Sequence, residues 1–142
     1  MRFHYLLMAN FSMMQKLLMR RLKDTGLTPG QPKVLAELYE RNGMTQSELA
    51  ARCVLEAASV TSVIDGMERS GLVERKKDSA NRRISRIWLT EKGQKLADRV
   101  DQEFSILEQT VLNGLNHHAH TTQAMLQELY NILSACYSDK ET

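Results

Sequence analysis

Apolar residues recur along most of this chain with the period of a helix. Over residues 2–23, Leu7, Phe11, Met14 and Leu18 mark one stripe, and Leu6, Met13, Leu17 and Leu22 widen it. So broad an apolar face needs cover, which predicts a first helix that packs on a partner helix across a dimer. In LTPGQPKVLAEL, Thr28 is placed to cap a second helix, Pro29 suits its first position and Gln31 completes a capping box. Pro32 still falls in the first turn, where a missing N–H costs little. Val34, Leu35, Leu38 and Tyr39 form the expected buried face, and Asn42-Gly43 stops the helix.

Thr45-Gln46-Ser47-Glu48 is a second capping box, opening a short helix with Leu49, Ala50 and Cys53 inward. A break near Val54 and Leu55 precedes another helix, where Val60, Val63, Ile64 and Met67 stand at i, i+3, i+4 and i+7. Its other side carries Ala58, Ser59, Thr61, Ser62 and Asp65. Gly71 is the expected left-handed stop, with Leu72 folding back. Residues 72–77 and 84–89 read as two strands of a hairpin. Thr90 then caps a long helix to Leu115, with a seam of Leu96, Val100, Phe104, Leu107, Val111 and Leu115 that suits helix packing. After a loop, GLNHHAHTT, a last helix carries Met125, Leu126, Leu129, Ile132, Leu133, Cys136 and Tyr137.

Charge changes the picture locally. Residues 69–99 hold ten Lys and Arg against four Asp and Glu, whereas residues 100–142 hold one Lys against six acids. A basic middle beside an acidic end points to a polyanion met by one part of the chain. The basic residues gather on the hairpin: Arg75, Lys76, Lys77, Arg82, Arg83 and Arg86. Two helices joined by a tight turn and followed by a basic-tipped hairpin form a winged helix-turn-helix. A helix with small polar residues outward fits a DNA major groove, so Ala58, Ser59, Thr61 and Ser62 are the base-facing candidates. Methyl groups of Ala58 and Thr61 suit thymine methyls. Thr45 and Gln46, at a helix N-terminus, are phosphate candidates. Lys77, Arg82, Arg83 and Arg86 supply the counterion-release part of affinity, and an arginine at a narrow tip can enter the minor groove.

The stretches LTPGQPKVLAEL, MTQSELAARC, SVTSVIDGMERSGLVERK and NRRISRIWLTEKG resemble the MarR family, the multiple-antibiotic-resistance type of bacterial transcription regulator, over almost the full length. The resemblance implies a mainly α fold with a minor β part (α+β). It comprises a winged helix-turn-helix over 28–95, with the N- and C-terminal helices, 1–24 and 96–142, forming a dimerisation region within one domain, 1–142. It implies a homodimeric repressor on double-stranded DNA with a near-palindromic operator, half-sites roughly 34 Å apart. The family's recognition positions fall on Ala58, Ser59, Thr61 and Ser62. A basic residue is common where Ser62 stands, and the wing-tip Asp-Arg-Arg is here Asn81-Arg82-Arg83. The minor-groove role passes to Arg82, and Arg83 is left a more structural one.

Relatives are often released by a small aromatic or anionic effector, and Tyr39, Arg20 and Arg21 are the residues placed to line such a pocket. A redox role would need Cys53 or Cys136, and a zinc role would draw on His117, His118 and His120. The simpler expectations are packed, reduced thiols and a polar loop, so no cofactor is expected. Widely spaced cysteines favour a cytoplasmic protein, and the interrupted N-terminal apolar run fits neither a signal peptide nor a membrane span. No nucleophile–base pair, Gly-rich phosphate loop or carboxylate pair stands out, so an enzyme is not expected. The remaining alternative is a winged helix that docks a protein.

Overall fold

The computed structural model describes residues 1–139. The last three residues of the expected 96–142 region lie outside that range. The elements run α1 (Phe3–Arg21), a 3-10 turn (Lys23–Thr25), α2 (Gln31–Glu40), β1 (Met44–Thr45), α3 (Gln46–Cys53), α4 (Ala57–Arg69), β2 (Val73–Lys77), β3 (Ser85–Leu89) and α5 (Glu91–Leu115). A second 3-10 turn (Asn116–His118) and α6 (Ala119–Ser138) complete the chain. Two compact units divide it, residues 1–105 and 106–142.

In the first unit, Val34, Leu35 and Leu38 of α2, Leu49 and Cys53 of α3, and Val60, Ile64 and Met67 of α4 are all fully buried. The three helical stripes thus meet, as their spacing requires. Met44, Val73 and Ile87 close this core from the sheet, whose antiparallel order is β1-β3-β2. β1 is an addition to the expected hairpin, pairing Met44 with Ile87 and Thr45 with Arg86. Asn42 fastens the same edge, its Oδ1 accepting from Leu89 N at 2.9 Å. Gly43 has φ +78°, and the Trp88 ring lies 2.5 Å from where a Cβ would stand. A left-handed turn and a close ring together require glycine there.

Three expectations shift in detail. α2 starts at Gln31 with Gly30 as its cap, two residues beyond Thr28. Half of the box survives, because Gln31 Oε1 accepts from Thr28 N at 3.1 Å. Tyr39 is 37% exposed rather than buried, and its hydroxyl donates to Asp98 Oδ1 at 3.2 Å. Ala97 and Glu103 join Val100 and Leu107 on the buried side of α5, while Val111 is exposed. The real face is therefore rotated from the predicted seam.

Glu103 is 8% exposed and acceptable there because two cations meet it. Arg21 of α1 pairs with Oε2, and Arg99 Nε donates to Oε1 at 3.0 Å. Arg99 also reaches both carboxylate oxygens of Asp24 at 3.0 Å and the Arg21 carbonyl at 3.0 Å. Arg21 first, with Arg99, holds the Glu103 carboxyl below its usual range, and Arg99 does the same for Asp24. Carboxyls with depressed folded values stabilise above their unfolded values, about pH 4, and that contribution fades as pH falls through the folded ones. Thermal melts at fixed protein concentration should show stability falling on acidification below about pH 4. Glu103→Gln should be less stable at neutral pH and show a shallower acid slope. An identical acid slope in the two proteins would refute the role of Glu103.

α1 leaves Phe3, Tyr5, Leu6, Met8, Phe11, Met13 and Leu17 exposed, and Leu18 is its buried residue. In the second unit, α6 exposes Met125, Leu126, Tyr130, Ile132, Leu133 and Tyr137.

Candidate nucleic-acid interface

The Thr45 box forms as its sequence requires. Thr45 Oγ1 accepts from Glu48 N at 3.2 Å, and Glu48 Oε2 accepts from Thr45 N at 2.9 Å. The Thr45 amide is the main reason the Glu48 carboxyl lies below its usual range. The turn that follows rests on Val54, which is left-handed at φ 53° and 66% exposed. A β-branched residue there is strained, and two hydrogen bonds hold it: Val54 N to Ala51 O at 3.2 Å and Leu55 N to Ala50 O at 3.0 Å. α4 then leaves the turn with Ala58, Ser59, Thr61 and Ser62 all exposed on one side.

Gln46 and Thr61 are tied together. Gln46 Nε2 donates to Thr61 Oγ1 at 2.5 Å, and the Thr61 hydroxyl donates to Ala57 O at 3.0 Å. The γ-methyl of Thr61 is what remains to face outward. Gln46 Oε1 accepts from Arg75 Nη1 at 2.8 Å, while Arg75 Nη2 meets Asp65 Oδ1 at 2.6 Å and Nε meets Glu68 Oε2 at 3.4 Å. One guanidinium from β2 thus fixes both helices of the helix-turn-helix. The hairpin's charge alone suggested a phosphate contact for Arg75; two carboxylates already neutralise it.

Because these groups are partly exposed, each pair stabilises by roughly 1 kcal/mol or less. The larger consequence is orientation. Arg75→Ala should lower the preference for a specific duplex about tenfold, since coupled networks carry such energies. It should leave the slope of log affinity against log salt unchanged. A slope reduced by about one would mean that Arg75 does meet a phosphate.

The wing tip is a stiff polar turn. Asp78 Oδ1 accepts from Ala80 N at 2.8 Å and Asn81 N at 3.3 Å, and Asp78 N donates to Ile84 O at 2.9 Å. Asp78 Oδ2 takes Arg86 Nε at 2.6 Å, and Arg86 Nη1 donates to Gly43 O at 3.1 Å. The Arg86 pair is the main reason the Asp78 carboxyl is held low. Arg86 is therefore turned into the protein, joining the hairpin to the α2–α3 corner. Asn81 Oδ1 accepts from the Arg83 backbone N–H at 3.1 Å, so it shapes the turn rather than a guanidinium. Lys77, Arg82 and Arg83 are exposed, and among the described residues none of their side chains has a hydrogen bond or ion pair. The structure thus separates the hairpin cations into paired ones, Arg75, Arg86 and Lys76, the last with Glu74 Oε1 at 3.0 Å, and outward ones, Lys77, Arg82 and Arg83.

The sensing candidates are more ordinary. Cys53 is buried, and burial pushes its thiol up to about 11, which keeps it protonated and unreactive near neutral pH. Cys136 is exposed on α6. The His117 and His118 rings stand 3.9 Å apart and His120 lies in the first turn of α6, but no group of three or more His, Cys, Asp or Glu is gathered for a metal among the described residues. Arg21 is engaged by Glu103 and Tyr39 by Asp98. No helix among the described residues is long and apolar enough to cross a membrane.

Known proteins share this arrangement. The MarR family model matches residues 27–85. The chain is 39% identical over 79 residues to the HTH-type transcriptional regulator YsmB of Bacillus subtilis, covering 56% of this chain and 54% of that protein. It is 31% identical over 87 residues to the HTH-type transcriptional repressor MdtR of the same organism, covering 61% and 56%. These matches thus span about half the length of those relatives. The structure of Staphylococcus aureus MepR in complex with DNA superimposes with a TM-score of 0.81 at 26% identity, covering 95% of this chain and 98% of that one. Its helix-turn-helix and wing thus match the MarR family in sequence, and nearly all of the chain matches MepR in structure.

Proposed function

We propose that this chain is a DNA-binding transcription regulator, a homodimeric repressor that holds a near-palindromic operator and releases it to a small aromatic or anionic effector. Residues 28–95 contact DNA, and 1–24 with 96–142 join the two copies. The observation that carries the reading is the outward face of α4, small and polar at Ala58, Ser59, Thr61 and Ser62, beside a wing whose Arg82 and Arg83 have no partner among the described residues. Bulky side chains or free carboxylates on that face would hold a helix off base edges; these four are small and uncharged, and Asp65 on the same side is paired with Arg75. Arg82 enters the minor groove, Lys77 and Arg83 meet phosphates, and the capped N-terminus of α3 with Thr45 and Gln46 approaches the backbone. Arg86 contributes by fixing the wing. The likeness to MepR bound to DNA and to MdtR, a repressor by name, supports the reading. The apolar residues exposed on α1 and on α6 favour a second copy as their cover.

Sedimentation velocity with footprinting upstream of the chain's own gene tests this. The expected result is a dimer protecting two half-sites roughly 34 Å apart on one face of the duplex. A monomer, or no protected site, would contradict it. A screen of aromatic carboxylates for loss of the footprint tests the effector.

A further inference from the structure

Beside the outward face of α4, the entry to α2 forms a cleft of about 410 Å³. Thr28 and Gln31 line one side; Ser62, Arg69 and Ser70 line the other, with Val63 between them. No carboxylate lines it. The hydroxyls of Thr28, Ser62 and Ser70 and the Arg69 guanidinium have no side-chain partner among the described residues. Gln31 is the telling member. It is only 7% exposed, and its Oε1 is taken by Thr28 N, which aims the amide's donor end at the cleft. Nε2 bonds nothing among the described residues, yet no fully buried side-chain nitrogen or oxygen there lacks a partner, so it is reached through the cleft. Nε2 also lies 3.7 Å from the position a Cβ on Gly66 would take, so glycine keeps that wall low. The first turn of α2 has no acid to offset the positive end of the helix dipole.

We propose that this cleft receives one backbone phosphodiester of the duplex that α4 reads. Arg69 supplies the charge, and Gln31 Nε2 with the Ser62 and Thr28 hydroxyls supplies neutral donors. The proposal rests on the DNA-binding reading, because Ser62 belongs both to the base-facing side of α4 and to the cleft. Its location also separates it from the wing: charge at Arg69 anchors the recognition helix itself.

Two variants test it. Arg69→Gln removes the charge. Gln31→Glu keeps the shape and the acceptor for Thr28 N but turns the donor into an anion, so the cap and fold should persist. Binding to specific and scrambled duplexes is measured over a range of salt. Arg69→Gln should lower the salt slope by about 0.9 for each copy bound, on both duplexes, with the preference between them kept. Gln31→Glu should weaken both by about tenfold. Unchanged slope and affinity in both variants would overturn the proposal. If the parent binds no duplex, inorganic phosphate is titrated while the Gln31 side-chain amide is followed by NMR. A shift lost in Arg69→Gln would make this a site for free anions and overturn its assignment to DNA; no shift would overturn the site itself.

Discussion

Arg82→Ala is expected to weaken binding to a preferred duplex by about ten- to a hundredfold while leaving the melting temperature unchanged. Arg82 sits at the tip of a turn closed by Asp78 and Asn81, and none of the bonds that hold the turn uses its side chain. Removing the guanidinium therefore takes away a ligand contact and no structural one. In a dimer the loss occurs twice. The companion change Arg86→Ala behaves the other way, since Arg86 pairs with Asp78 and with the Gly43 carbonyl. It should lower the melting temperature by a few degrees and affect binding through a loosened wing. Anisotropy titrations together with thermal melts separate the two. Equal binding by Arg82→Ala and the parent would show that the wing tip does not engage DNA.

Gly93→Ala is expected to destabilise the first unit by about 3 kcal/mol or more, near the top of what overpacking costs. A Cβ there would lie 1.8 Å from the Leu72 carbonyl oxygen, a backbone atom with little room to move. That oxygen already accepts from Thr90 N at 3.0 Å. The Thr90 hydroxyl donates to Gly71 O at 2.6 Å and accepts from Gly93 N at 3.0 Å. The start of α5 is thus seated on the corner where α4 passes into β2, and a methyl would lift it off. The melting temperature should drop by roughly 10 °C or more at equal protein concentration. A drop of only a degree or two would mean that the α5 seat is not held as described.

Periodicity and capping carried most of the fold because they are local. Val60, Ile64 and Met67 are buried at the expected spacing, the Thr45 box closes, and Gly71 is left-handed at φ +72°. β1 escaped notice because two residues carry no alternation; its place is set by Ile87 and Arg86, some forty positions away. The start of α2 moved because Thr28 offers its backbone, not its hydroxyl, to Gln31. The candidate interface was legible as a set of residue types and not as a set of roles. Arg75, Arg82, Arg83 and Arg86 look alike in a charge count. Their difference lies in Asp65, Glu68, Gln46 and Gly43, which come from other elements and which no hairpin pattern contains. Arg69 was hidden for the opposite reason: it stands on a helix end rather than in the basic hairpin.

The most direct test is fluorescence anisotropy on a duplex from upstream of the chain's own gene against a scrambled duplex of equal length, at two salt concentrations. Clear preference for the upstream duplex, with affinity falling steeply at the higher salt, is the predicted result. Equal and weak binding to both duplexes would contradict it.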